Sequence, residues 1–156
     1  MDERFDLGTP DSLTVASDGS LVLTDDQQGT SNPGRILGIG TDGRPQVLFG
    51  EGASTSNGAE VKLTQPQAVL VKHDGTLVVS DIAEGRIVEI APDGTLTTLV
   101  SGYGEDNPVV SQALNHPDGI ALGTRQELYF VDADRVYRYE AGQVTVVAGG
   151  GSETAP

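Results

Sequence analysis

The chain has 156 residues, of which 37% are hydrophobic, 21 are glycine and eight are proline. This composition predicts one domain of many short strands joined by tight turns, because Gly and Pro favour turns. Nine Lys and Arg against 23 Asp and Glu give a net charge of −14. So acidic a chain repels phosphate backbones, and we expect no nucleic-acid partner.

The absence of cysteine rules out disulfides, thiolate zinc sites and a cysteine nucleophile. No run approaches the roughly 18 apolar residues of a membrane-spanning helix, so we expect no membrane partner. The first ten residues, MDERFDLGTP, do not have the basic and then apolar pattern of a signal peptide. The sequence does not indicate in which cellular compartment the protein acts.

The predicted elements repeat three times along the chain. The first copy begins at Pro10 with PDSLTVASDGSLVLTDD, the second at Pro66 with PQAVLVKHDGTLVVSDI, and the third at Pro117 with PDGIALGTRQELYFVDA. An aspartate follows each proline at the same offset: Asp25, Asp81 and Asp132. Fixed offsets of this kind indicate internal duplication of one structural unit.

Each copy predicts four short strands. In the second copy we expect them at about 68–72, 76–80, 86–90 and 95–100, where runs of Val, Ile, Leu and Thr are bounded by HDG and PDG turns. Runs such as AVLV and LVV are nearly continuous rather than alternating, which is typical of strands covered on both faces. The residues expected to be largely buried between blades are Val69, Leu77, Val79, Ile87, Ile90, Ile120, Leu128, Val131 and Val136.

A four-stranded antiparallel sheet repeated at this spacing is typical of a β-propeller blade. The sequence therefore predicts an all-β protein and a single repeat array over 1–156. We expect the first blade at about 9–51, the second at about 65–102 and the third at about 116–149.

Three stretches resemble the repeats of NHL-type propellers: HPDGIAL, LVVSDIAEGRIVEIAPDGTLTTLVSG and LYFVDADRVYRYEAGQVTVVAGGG. The resemblance covers nearly the whole chain, although the first copy carries an insertion between Asp25 and Arg35 and the third replaces its DG turns with GTRQEL and EAGQ. It implies an NHL-type propeller with three blades, about half of the usual six.

Three blades do not close a ring, since closed propellers have about four to eight blades. The two end blades would leave apolar sheet in water, and apolar patches of that size favour association. We therefore expect a homodimer that completes a six-bladed ring.

The long, irregular connections fall on one face of the expected disc, which we call the loop face. They are the connections from the second to the third strand of each blade and from the fourth strand to the next blade. Function tends to lie in such loops on a rigid scaffold. We expect this acidic face to hold a protein, peptide or glycan ligand through Asp26, Asn32, Asn57, Glu84, Tyr103, Asp106, Asn107 and His116.

Asp25, Asp81 and Asp132 end the expected second strands and allow two interpretations. Carboxylates near a propeller axis could be oxygen ligands of Ca²⁺. Alternatively, each accepts backbone N–H bonds in its turn and pairs with an arginine nearby in the sequence: Arg35, Arg86 or Arg135. We favour the structural role, because an Arg recurs beside each Asp, and we expect no cofactor.

Two functions stay open at this point. The first is a non-enzymatic scaffold, a half-propeller that closes a ring with a second copy and binds a partner on its loop face. The second is a metal-dependent, lactonase-like hydrolase or lyase with its site at the central channel. We favour the scaffold, because neither a Glu, Asn and Asp metal triad nor a GxSxG motif is legible in the chain.

Overall fold

The computed structural model describes residues 6–27, 33–50, 62–102 and 114–150. These residues form β-strands and turns and contain no helix, which confirms the all-β expectation for the described part of the chain. A segment able to cross a membrane as a helix is accordingly not found among them.

Twelve strands form three antiparallel sheets, each of four strands in chain order, which we call blades 1, 2 and 3. Blade 1 contains β1 (Pro10–Val15), β2 (Leu21–Asp25), β3 (Arg35–Ile39) and β4 (Pro45–Phe49). Blade 2 contains β5 (Pro66–Val71), β6 (Leu77–Asp81), β7 (Arg86–Ile90) and β8 (Leu96–Ser101). Blade 3 contains β9 (Pro117–Leu122), β10 (Leu128–Asp132), β11 (Arg135–Glu140) and β12 (Gln143–Gly149).

The turn between the first and second strands is the same in all three blades. Its third residue has positive φ, at 86° for Gly19 and 84° for Gly75, and glycine adopts that conformation without strain. In blade 3 the equivalent residue is Gln126, which still adopts a φ of 67°. The β9–β10 turn of blade 3 therefore has the same geometry although it lacks the Asp-Gly sequence.

The core lies between the blades rather than within a single sheet. One face of each blade, its leading face, packs on the opposite or trailing face of the next. Between blades 1 and 2 the leading residues are Val22, Ile36 and Phe49, and the trailing residues are Val69, Leu77, Val79, Val88 and Ile90. Between blades 2 and 3 the leading residues are Val78, Ile87 and Val100, and the trailing residues are Leu128, Phe130 and Tyr137.

The expected core is confirmed on blade 2 and only in part on blade 3. Six of its members are buried: Val69, Leu77, Val79, Ile87, Ile90 and Leu128. Ile120 and Val136 are only half-buried, and the prediction for Val131 was wrong, since it is 41% exposed. Val131 alternates with the inward-packed Phe130 and so points to the leading face of blade 3, which no described blade covers.

Candidate functional site

The first strands of the three blades lie side by side around an axis. β1 contacts β5, and β5 contacts β9, so that the three strands form the wall of a channel. An open cleft of about 530 Å³ lies along this wall. Its middle is largely aliphatic, with Leu13, Val71, Ile120 and Leu122 among the lining residues.

The mouth of the channel on the loop face is polar and acidic. The residue after the first proline of each blade lines the cleft there: Asp11, Gln67 and Asp118. Sequence reasoning missed these three, although their shared position one residue after the repeat proline was a signal that could have revealed them. They place carboxylate and amide oxygens from three blades at one end of the channel.

The carboxylates at this mouth affect one another. Burial raises the pKa of Asp11 above its usual range, and the negative charges of Asp26 and Asp25 raise it further. At the start of blade 3, His116 Nδ1 lies 2.8 Å from Asp118 Oδ1. The mouth is thus a site at which a cationic or hydrogen-bond-donating group would be favoured.

The opposite end of the channel has a different chemical character. A second cleft of about 490 Å³ lies there, lined by Lys72, His73 and Thr124 among others. His73 is in the tight β5–β6 turn and is exposed, and Lys72 forms an ion pair with Glu89. The channel therefore runs from an acidic mouth to an end that carries basic side chains.

Asp25 lies beside the channel mouth but is occupied by hydrogen-bond donors. Its carboxylate accepts N–H groups from Gly8 at 3.2 Å and Thr9 at 2.8 Å, and it pairs with Arg35 Nη2 at 2.9 Å. Burial alone would raise its pKa, but the bonds from Arg35, Gly8, Gln27 and Thr9 outweigh burial and lower the pKa.

Asp81 repeats this arrangement in blade 2, and Asp132 repeats its backbone contacts in blade 3, where Arg135 Nε lies 3.7 Å from Asp134 Oδ1. Asp81 accepts the N–H groups of Thr64 and Gln65 and pairs with Arg86 Nη2 at 3.0 Å. Asp132 accepts the N–H groups of Asn115 and His116. Each aspartate therefore fastens the segment that enters its blade, and we call these groups the entry latches.

Three of the expected loop-face residues lie within the described part of the chain. Asp26 is 4% exposed, whereas Glu84 and His116 are exposed, and Glu84 accepts a hydrogen bond from the Thr64 hydroxyl at 2.9 Å. The other five fall outside the described residues: Asn32, Asn57, Tyr103, Asp106 and Asn107.

Residues 6–27, 33–50, 62–102 and 114–150 contain no group of three or more His, Asp or Glu side chains arranged to hold a metal ion.

No protein-family model matches the chain. It is similar to the protein SUPPRESSOR OF QUENCHING 1, chloroplastic, of Arabidopsis thaliana, with 27% identity over 126 residues. That match covers 78% of this chain but only 12% of the relative.

Solved structures with a similar fold include virginiamycin B lyase from Staphylococcus aureus, at 17% identity and a TM-score of 0.60, covering 89% of this chain and 41% of the lyase. A gluconolactonase from Xanthomonas campestris has 19% identity and a TM-score of 0.64, with 90% and 46% covered. A chain of the nidogen/laminin complex has 18% identity and a TM-score of 0.63, with 90% and 48% covered.

The chain spans less than half the length of each of these solved structures. At such identities the likeness concerns the fold, and it agrees with the three four-stranded sheets arranged around a channel. The chain is an all-β array of β-propeller blades.

Proposed function

We propose that this chain is a non-enzymatic propeller scaffold. In this proposal it associates with a second copy to close a ring and presents its acidic loop face to a binding partner. The observation that carries it is apolar exposure at both ends of the array. Leu13 and Val15, on the trailing face of blade 1, are 61% and 64% exposed, and Val131 on the leading face of blade 3 is 41% exposed.

These two faces have the chemistry of a blade junction. On blade 1, Leu13 and Val15 pair in register with Leu23 and Leu21, in the positions that Val69, Val71, Val79 and Leu77 have on blade 2. Leu23 is itself already buried, so the exposed apolar area lies along the first strand. Removing such area from water stabilises an interface by about 25 cal/mol per Å².

A second copy of the chain would cover both exposed end faces at the same time. The leading face of blade 3 of one chain would pack on the trailing face of blade 1 of the other, and the same junction would form twice. A head-to-tail contact made twice closes under two-fold symmetry. In the closed ring both chains would surround one channel with one acidic mouth on the loop face, and its carboxylate and amide oxygens suit donors on a protein, peptide or glycan.

Light scattering at micromolar concentration tests the association. We expect a mass about twice the 16.2 kDa of one chain. Val131→Asp should reduce this mass to that of a monomer, because it introduces a charge into the junction. The matched control is Thr97→Asp on the exposed edge strand of blade 2, which should leave the dimer intact. A wild-type mass of one chain at every concentration would contradict the proposal.

The second candidate is a metal-dependent hydrolase or lyase with its site in the channel. Two observations favour it: structures of similar fold include a lyase and a gluconolactonase, and Asp11, Gln67 and Asp118 line the same cleft. Lactone hydrolysis that requires Ca²⁺ and is lost in both Asp11→Asn and Asp118→Asn would support the enzyme over the scaffold.

A further inference from the structure

A leucine lies three residues before the proline that begins each blade: Leu7, Leu63 and Leu114. Leu63 and Leu114 are 0% and 1% exposed, but Leu7 is 44% exposed. The three positions are equivalent in the repeat, so this difference in burial needs a structural cause.

The two buried leucines fill junctions between blades. Leu63 belongs to the cluster that joins blades 1 and 2, together with Ile36 and Phe49 of blade 1, and its backbone pairs with Gly34 of the same blade. Leu114 belongs to the cluster that joins blades 2 and 3, together with Ile87 and Val100 of blade 2. Each leucine therefore packs on the leading face of the preceding blade.

Leu7 is held by the same backbone contacts as Leu63. The residues after Leu7, Gly8 and Thr9, donate their N–H groups to Asp25, and Arg35 Nη2 donates to the carbonyl of the residue before it, Asp6, at 2.6 Å.

Around Leu63 the same three contacts recur. Thr64 and Gln65 donate their N–H groups to Asp81, and Arg86 Nη2 donates to the Lys62 carbonyl at 2.7 Å. The entry latch of blade 1 thus fixes Leu7 in the position of a junction residue.

We propose that Leu7 fills a third junction, and that the surface which covers it is the leading face of blade 3 in a second copy. This inference rests on the self-association proposed above and names the contact that forms it. The residues equivalent to Ile36 and Phe49 on that face are Val136 and Ala148, which pair in register. Both are apolar, as their counterparts are, and neither is fully buried within the chain.

The charges on the two surfaces are complementary. Arg138 lies on the leading face of blade 3, opposite Tyr129 in the register, and its buried Nε has no hydrogen-bond partner among the described residues. Its Nη2 lies 3.8 Å from Glu140, near the tight β11–β12 turn. The tight turns of blade 1 are at the same rim and carry Asp18 and Asp42. Closure of the ring brings this arginine towards those carboxylates.

A cysteine pair tests the contact directly, because the chain contains no cysteine of its own. Leu7→Cys combined with Val136→Cys should give a covalent dimer under mild oxidation, seen on a non-reducing gel. Leu7→Cys alone, and Leu7→Cys combined with Thr97→Cys on the edge strand of blade 2, are the controls and should stay largely uncrosslinked.

A charge at the same position gives an independent measurement. Leu7→Asp should weaken dimerisation at least tenfold while the isolated chain keeps its urea midpoint, because no described blade packs on this side chain. The matched variant Leu63→Asp should instead unfold the chain, because its position is buried.

The outcomes separate the two proposals. A wild-type dimer that fails to crosslink above the controls and tolerates Leu7→Asp overturns the role of Leu7 and leaves the self-association standing. A wild-type monomer without specific crosslinking overturns both the self-association and the role of Leu7 in it. In that case Leu7 would be covered by something else, such as further blades of a longer polypeptide.

Discussion

At the scale of single residues, the repeated Asp binds the segment that enters each blade, and in blades 1 and 2 an Arg acts together with it. A side chain that accepts two backbone N–H groups and pairs with an arginine lowers the cost of burying polar backbone. The recurrence of Asp25 and Arg35 was readable in the sequence as a pair. Their backbone partners at Gly8 and Thr9 were not, because every residue type except proline carries an N–H group.

Asp25→Asn should cost about 3–5 kcal/mol of stability, because it leaves Arg35 without its anionic partner in a site where Asp25 is fully buried. The pKa of Asp25 is lowered in the folded chain. Its stabilisation is therefore present above the pKa of an unfolded aspartate, about 3.9, and is lost as the pH falls through the lower folded value.

Urea denaturation at pH 7 and at pH 2 measures this effect. The difference between wild type and Asp25→Asn should shrink markedly at the lower pH. Asp18→Asn, at an exposed turn, is the control and should change stability by no more than about 0.5 kcal/mol. An equally large loss in Asp18→Asn would mean that the latch has no special role.

At the scale of strands, the repeat pattern predicted the bounds of the strands better than the burial of their side chains. β7 has the expected bounds, Arg86–Ile90, whereas β5 begins two residues early, at Pro66. The error at Val131 has a different source. The strand that contains Val131 has the apolar sequence of a strand at a blade junction. Its burial also requires a neighbouring blade, and the sequence of one strand does not show whether that blade is present.

Ile87→Ala tests the junction between blades 2 and 3. Ile87 is 0% exposed within the cluster that joins them, so truncation should cost about 2–5 kcal/mol. Thr97→Ala, at an exposed position on the edge strand of blade 2, is the control and should stay within about 0.5 kcal/mol. Equal midpoints for the two variants in thermal or urea unfolding would show that the junction is misassigned.

At the scale of the whole molecule, the repeat count predicted an incomplete ring, and the exposed end faces agree with it. The channel mouth was not predicted in the same way. Asp11, Gln67 and Asp118 are far apart in the chain and differ in type, so they become one site only when β1, β5 and β9 lie around a common axis.

Salt should strengthen the proposed dimer. Each chain carries a net charge of −14, so two chains repel one another over distances comparable with the Debye length, about 10 Å in 0.1 M salt and 3 Å in 1 M. The attraction between Arg138 and the turn carboxylates acts in the opposite sense, but an exposed ion pair contributes only about 0–1 kcal/mol.

The apolar contacts proposed for Leu7, Leu13 and Val131 would not depend on charge screening. We therefore expect the dimer dissociation constant to fall several-fold between 20 and 500 mM NaCl, measured by sedimentation equilibrium. Sodium chloride is preferable to sulfate, because sulfate strengthens apolar association by itself. Arg138→Gln separates the two electrostatic contributions: it should weaken the dimer at low salt and steepen its salt dependence. A dimer that weakens as NaCl is added would show that local ion pairs, rather than apolar junctions, hold the two chains together.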